Sequence, residues 1–348
     1  MLGGGVFVTQ DKTLPGSYLN FINASAATST IGERGVVAIP LNLNKHEGNV
    51  IEITRDEFYH NCQEKLGFPS DAHEMQPLRE IFCHANKVYV FDAGDAENEN
   101  YLCSDWMPVL AAYDFNVLAY FNESKDETKL VCDEVIAWRD ELGKKVQVVV
   151  PNYKANHEGV ISVYADWNGM GDHYELVPWV AGALAGCKIN ESCTNMLYDG
   201  EVPMDNLPET QAELEEHIKN GEFVFHQVYG EVRVLEDINS LTTVTKEKGE
   251  DFKSNQTIRV IDQIANDIAR MYNNKYLGKV QNDKSGRVSL WGDIVKHHRE
   301  LEAIGAIEPF DTSLLTVEQG ANKKSVVVND AISVVGAMAQ LYMTVVIK

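Results

Sequence analysis

Residues 256–309, QTIRVIDQIANDIARMYNNKYLGKVQNDKSGRVSLWGDIVKHHRELEAIGAIEP, decide how this chain is organised. From Ile258 onward the apolar residues Ile261, Ile264, Ile268, Met271 and Tyr272 recur at steps of three and four, the spacing of one stripe along a helix. The opposite face carries Asp262, Asn266, Asp267, Arg270 and Asn273. A polar turn over residues 281–286 leads to a second helix, on which Val288, Trp291, Ile294, Val295, His298 and Leu301 fall in register. Gly305 is placed to end it. Two amphipathic helices in sequence form a packing unit, so this stretch is the centre of a C-terminal domain.

Upstream the pattern changes to α/β. The strand GVVAIPL follows Gly35, and Thr54 with Glu57 has the capping-box spacing that opens a helix, closed by Gly67. Met75, Leu78, Ile81 and Phe82 mark another helix, and KVYVFDAG a strand ending at Gly94. A helix over residues 105–113, the strand FNVLAYF and a long helix with Val131, Val135, Trp138 and Leu142 follow, the last capped by Ser124 and Glu127 and ended by Gly143. VQVVVPN, GVISVYADW and a helix around residues 179–185 complete the rhythm. Strand-helix alternation favours a mainly parallel sheet covered by helices. An acidic segment with Pro203 and Pro208, then the helix LPETQAELEEHI, reads as a junction. FVFHQVYGEVRVLEDI alternates apolar and polar across Tyr-Gly-Glu, as a β-hairpin does. The expected fold class is α/β: a leading arm over 1–24, an N-terminal α/β domain over 25–197, an α+β C-terminal domain over 198–340 and a trailing arm strand over 341–348.

The chain has 348 residues and a formal net charge of −22. Length alone makes two domains the expectation, and 44% hydrophobic residues exclude a disordered chain. Residues 239–348 carry 14 Lys and Arg against 13 Asp and Glu, while the first 238 carry 16 against 39. The first two thirds therefore read as a solvated exterior and the last third as the part that touches other protein. Strong negative charge argues against nucleic acid or an anionic membrane as partner. No basic start followed by an apolar run marks a secretory signal, and the apolar run over residues 331–347 contains Ser333 and Gln340 and falls short of the ~20 residues that span a bilayer. Six cysteines, at 62, 83, 103, 132, 187 and 193, lack paired spacing and read as free thiols of a reducing cytoplasm.

Little in the sequence carries chemistry. Neither GxxxxGK[ST] nor GxSxG occurs. His297 and His298 adjoin on a helix, where neighbours point about 100° apart and grip one metal poorly, and His298 falls on the apolar stripe. Cys83-His84 and Asp172-His173 lack a third partner, and Asp92, Asp95, Glu97 and Glu99 read as a solvated acidic loop without EF-hand spacing. No catalytic residue, metal or cofactor is expected.

The two ends carry segments that bury too little to fold alone. Gly3, Gly4 and Gly5 precede Val6, Phe7 and Val8, then Pro15-Gly16 blocks a helix, and the chain closes in the β-prone AQLYMTVVIK. Strand-helix alternation by itself fits a cytoplasmic α/β enzyme with an acidic surface equally well, or another self-assembling tube or shell component.

NSLTTVT, the IRVIDQIANDI helix, YLGKVQN and ELEAIGAIEP together resemble the C-terminal domain of contractile-tail sheath proteins, with LPGSYLNF over 14–21 similar to their leading Pro-Gly-x-Tyr arm and VPWVAGALAG over 177–186 similar to the lead-in to their C-terminal half. The resemblance is to the short sheaths of Gram-positive phages and phage-tail-like bacteriocin particles. It implies a structural virion component, assembled in the bacterial host cytoplasm, that stacks in six-subunit rings around an inner tail tube protein. Baseplate and tail terminator proteins are the further partners implied. It also implies that both ends leave their subunit and complete a sheet on neighbours: Val6, Phe7, Val8, Pro15, Gly16 and Tyr18 at the front, Tyr342, Met343, Thr344, Val345, Val346 and Ile347 at the back. Phe223, Phe225, Val228, Val232 and Val234 of the hairpin are the candidate acceptor.

Overall fold

The computed structural model describes residues 30–94, 102–122, 124–165, 174–204, 207 and 210–347. Its first unit is built on seven strands: β1 (Val36–Leu41), β2 (Val50–Thr54), β3 (Lys87–Asp92), β4 (Val117–Ala119), β5 (Gln147–Pro151), β6 (Val160–Val163) and β7 (Glu222–Phe223). They lie in the order β2-β3-β1-β4-β5-β6-β7, with every pair parallel except β2 against β3. The sheet is thus mainly parallel, and the antiparallel edge strand VIEIT is the one the sequence reading passed over.

Strand periodicity sorts the side chains into two layers. Val37, Ile39, Val88, Val90, Val149 and Ile161 point to one face, where α1 (Arg55–Leu66), α2 (Gln76–Phe82) and α5 (Leu176–Gly186) supply Phe58, Phe82 and Trp179. The intervening Ala38, Tyr89, Phe91, Leu118, Val148 and Val150 face α3 (Cys103–Leu110) and α4 (Lys125–Asp140), which bring Trp106 and Trp138. Strands buried on both faces read as unbroken apolar runs, as GVVAIPL and VQVVVPN do. The expected caps form: Thr54 and Glu57 make a reciprocal capping box, and Gly67 takes φ 91° at the helix end.

The helix α6 (Gln211–Lys219) follows the acidic segment, and the strand after it, β7, pairs parallel with β6 through Val163 and Phe223. Residues 222–234, expected to belong with the C-terminal part, therefore pack into the sheet unit. The hairpin forms as read, β8 (Phe225–Val228) against β9 (Glu231–Val234), with Tyr229 and Gly230 at φ 52° and 87° in the turn.

The second unit holds α7 (Asn255–Met271), a single π turn over Tyr272–Tyr276 and α8 (Lys284–Ala303), which Gly305 leaves at φ 72°. A two-stranded antiparallel ribbon, β10 (Thr316–Gln319) and β11 (Val326–Asn329), packs beside α8. Its core gathers Val260, Tyr276, Leu290, Ile294, Leu301, Ile307 and Phe310, with Ile264, Ile268, Met271 and Trp291 half-buried around it.

Candidate assembly surfaces

As far as Asp267 the polar side of α7 is more deeply buried than most of its apolar stripe: Asn255, Arg259, Asp262, Gln263 and Asp267 are buried, whereas Ile261, Ile264, Ile268, Met271 and Tyr272 are only partly so; Ile258 is buried as well, Asn266 is partly buried, and Arg270 and Asn273 are exposed. The polar face lies on the first unit. Arg139 of α4 grips Asp262 with two hydrogen bonds, 2.6 and 2.9 Å, and donates to Val146 O at 2.8 Å. Arg259 reaches Asp237 at 3.2 Å and Glu191 O at 2.8 Å. Asn266 and the Lys145 backbone exchange bonds of 2.8 and 3.3 Å, and Gln147 donates to Asn255 at 3.1 Å. Burial opposes the charge on Arg139, but the Asp262 carboxylate outweighs it and raises the guanidinium pKa. Such a seam contributes orientation more than net stability, because desolvating the ions costs much of what their attraction returns. The two units are thereby locked in one relative placement.

The second unit leaves backbone edges and apolar side chains uncovered. Among the described residues no third strand pairs with β10 or β11, and Val327 and Val328 are exposed. A groove of about 490 Å³ runs along β10 and α8, floored by Val288, Trp291, Leu315 and Val317. The closing segment is tied down as far as Ala337: Val334 bridges Ile307, Val335 N–H donates to Ala306 O at 3.1 Å, and Gln256 bonds both Val335 O and Ala337 N–H. Beyond it, the hydrogen bond described is local, Tyr342 Oη to Gln340. Tyr342, Met343, Val345, Val346 and Ile347 are 71–92% exposed and form no strand.

The hairpin named as acceptor is folded onto its own subunit. Phe223, Phe225 and Val234 are buried in the first core, Phe225 against Trp179 and Tyr198, while Val228 and Val232 are partly buried. The outer edge of β9 is occupied by residues 195–198, through Asn195 N–H to Val234 O, Val234 N–H to Met196 O and Tyr198 N–H to Val232 O, each 2.9 Å. The leading-arm residues Val6, Phe7, Val8, Pro15, Gly16 and Tyr18 lie outside the described residues.

Residues singled out for chemistry have structural partners. Asp92 is buried, and its carboxylate accepts backbone N–H groups of Leu43, Asn44, Lys45, His46 and Gly94; burial opposes its charge, and these bonds override it to lower the pKa. It is a loop cap, which the sequence reading took for part of a solvated loop; Asp95, Glu97, Glu99, Asp172 and His173 lie outside the described residues. His84 meets Asp199 at 3.1 Å and stacks edge-on against Trp179. All six cysteines are free; burial pushes Cys62 up to about 11, and burial with the Asp199 carboxylate pushes Cys83 to about 12, the reverse of an activated thiol.

One cluster the sequence reading missed, Asp140, His157 and Glu158, has metal-like proximity. It does not suit a cation. Gly159 N–H donates to His157 Nδ1 at 2.9 Å, burial lowers the ring's pKa, and the neutral ring therefore carries its proton on Nε2, the nitrogen facing the carboxylates. Both Glu158 oxygens are already held by Lys248 at 2.8 Å. Among the described residues no helix is long and apolar enough to cross a membrane.

Two family models match in order along the chain, the phage tail sheath protein central domain over residues 94–240 and the phage tail sheath C-terminal domain over residues 247–348. The chain belongs to the phage tail sheath family. The change from one matched domain to the next falls between the hairpin and α7, where the two packing units part. The phage-like element PBSX protein XkdK of Bacillus subtilis is 30% identical over 262 residues, 70% of this chain and 55% of that protein. The chain spans about half the length or less of the curated relatives it matches. In three dimensions it is similar to a sheath tail protein from Desulfitobacterium hafniense, with TM-score 0.78, 24% identity and 93% and 98% of the two chains covered. The helical sheath of the anti-feeding prophage in its contracted state shares the fold at TM-score 0.67 and 14% identity, over 96% and 99%. At these identities the likeness to the solved sheath proteins is one of fold.

Proposed function

We propose that the chain polymerises into a helical cylinder of stacked rings around an inner tube, as part of a phage tail or tail-like particle, and shortens to drive the tube through a target envelope. The observation that carries this is the closing segment: an apolar, β-prone run left uncovered, with a two-stranded ribbon in the same unit whose edges pair with no third strand among the described residues. A second copy supplies what each lacks. Six residues laid along a ribbon edge form roughly three to six main-chain bonds at about 1 kcal/mol each. Repeated over every subunit, that is enough to hold a mesh while flexible segments bend.

The ribbon β10–β11, with its groove along α8, suits such a strand better than the hairpin β8–β9, whose apolar side chains and outer β9 edge are already used within the subunit. Val6 to Val8 and Pro15 to Tyr18 are the matching segment at the front. The rigid seam along α7 suits motion of whole subunits, since rearrangement concentrates in connections between them. The near-neutral C-terminal unit faces the tube, the acidic sheet unit faces outward, and the ends of the cylinder meet baseplate and terminator proteins. No fuel is needed if the extended cylinder is a kinetically trapped assembly.

Electron microscopy of the purified full chain beside a variant ending at Ala337 tests this. Cylinders from the first and folded single subunits from the second are expected. Normal cylinders from the truncated chain, or a small fixed oligomer from the full chain at every concentration in sedimentation, would falsify the proposal.

A further inference from the structure

The end of α5 and the loop after it bring together two thiols, Cys187 and Cys193, whose spacing in the sequence matches no motif. Cys187 follows the last turn of α5, its N–H bonded to Ala183 O at 2.8 Å. Cys193 returns to the same carbonyl, with Sγ 3.7 Å from Ala183 O, and its S–H is within hydrogen-bond reach of the Cys187 sulfur. Cys193 is fully buried and Cys187 is 5% exposed, so a small reagent meets Cys187 first.

Two guanidiniums bracket the pair. Arg259 of α7 donates to Glu191 O at 2.8 Å and lies 3.8 Å from Cys193 Sγ. Arg34 donates to Leu184 O at 3.2 Å, about one turn before Cys187, and to Gln263 Oε1 at 3.4 Å. The acids do not balance them. Asp237 reaches Arg259 at 3.2 Å, but among the described residues Arg34 pairs with no carboxylate, and its Nε is buried without a partner. Burial and the nearby Arg259 charge hold the Arg34 guanidinium down to about 10, as a surplus of buried positive charge requires.

We propose that Cys187 and Cys193 are a redox-active pair, in which Cys187 attacks a small peroxide and Cys193 then closes the disulfide. As a thiolate, Cys187 supplies the negative charge that the two arginines lack. The bond from Cys193 S–H, then Arg259 and Arg34, hold its pKa below the ordinary thiol range against burial and the Asp237 carboxylate. The same bond, with burial and Asp237, pushes Cys193 up, so Cys193 keeps its proton. Burial raises Cys62, Cys83, Cys103 and Cys132, which makes the activation particular to Cys187.

The roles follow from the protons. The Cys187 thiolate attacks one oxygen of hydrogen peroxide, the O–O bond breaks, and hydroxide leaves and takes a proton from solvent; Cys187 becomes a sulfenic acid. The Cys193 sulfur attacks the Cys187 sulfur, the S–O bond breaks, and the hydroxyl departs as water with the Cys193 proton. The two thiols lose two electrons, and one peroxide becomes two waters. Oxidation also removes the thiolate and leaves Arg34 uncompensated, which favours the reduced pair, so small thiols reopen this bond. While closed, it ties the end of α5 to the loop that Arg259 holds on α7, at the joint between the two units.

The test adds hydrogen peroxide to the full chain in substoichiometric steps, alkylates the remaining thiols under denaturing conditions and reads tryptic peptides by mass spectrometry. Trypsin cuts after Lys188, so the bond appears as a link between residues 155–188 and 189–219. That link is expected at least about tenfold faster than oxidation of Cys62 or Cys83, and reduced glutathione is expected to reopen it. Cys193→Ser separates the roles: Cys187 should stop at the sulfenic acid and be captured by dimedone. In Cys187→Ser, Cys193 should remain a free thiol. Oxidation of another cysteine ahead of the pair, or a link that forms only in guanidinium chloride, overturns the assignment, and both are read on the unaltered chain whatever the variants do. So does a dimedone adduct on Cys193 in Cys187→Ser, or a link that reduced glutathione leaves closed.

Discussion

Removing the Asp262 carboxylate should unseat α7 from the sheet unit. Asp262→Ala leaves the Arg139 guanidinium in place with its side chain 3% exposed, and its Nη2 loses the Asp262 bond of 2.9 Å. Nη1 retains Val146 O, while Nε is already without a partner. A buried charge stripped of its counter-ion costs about 3–5 kcal/mol, set against a total stability of about 5–15 kcal/mol. Arg139→Met with Asp262→Leu together removes both ions and fills the space with apolar groups, so it should return to within about 1 kcal/mol of the unaltered chain. The double variant is then about 2–4 kcal/mol more stable than Asp262→Ala. Guanidinium chloride unfolding of the three proteins at neutral pH, followed by tryptophan fluorescence and far-ultraviolet circular dichroism, measures it. A loss below about 1 kcal/mol for the single variant would refute the reasoning, as would a double variant no more stable than Asp262→Ala.

Three further outcomes are expected. Burial pushes the Glu80 carboxyl above the ordinary carboxylate range, against the pull of the Glu201 and Val202 N–H groups. A carboxyl raised in the folded state binds its proton more tightly there, so it favours folding below its unfolded pKa and loses that contribution as pH climbs through the folded value. Glu80→Gln should therefore gain about 1 kcal/mol at pH 7 and nothing at about pH 4, read from denaturation midpoints at both; equal effects at the two would count against it. Thr54→Ala opens the capping box of α1 and should cost about 1 kcal/mol, visible as a lower midpoint in the same titration. Val345→Pro withdraws one N–H from an exposed tail, so monomer stability should stay within about 0.5 kcal/mol while cylinders fail to form in micrographs.

The elements of the sheet unit were legible because their signals are local. Apolar runs buried on both faces, the Thr54–Glu57 box, Gly67, Gly143 and the Tyr229-Gly230 turn each act through neighbours a few residues away. The edge strand VIEIT was not, since a short half-polar strand is distinguished by what it pairs with. The hairpin was read correctly as a hairpin and grouped with the C-terminal part, because its attachment to Trp179 and Tyr198 depends on residues far off in the chain.

By itself the sequence settled the order of most helices and strands, the parallel habit of the sheet and the apolar character of the closing segment, all properties written within a few residues of each other. Tertiary structure decided which face of α7 is covered. Periodicity marks where apolar side chains fall, but Asp262, Arg259, Asn255 and Asp267 are buried by partners on other elements, Arg139, Asp237, Gln147 and His297, at separations of roughly 20 to 120 residues. A charged residue reads as solvent-facing until its counter-ion arrives through the fold, and only the folded chain brings that counter-ion near.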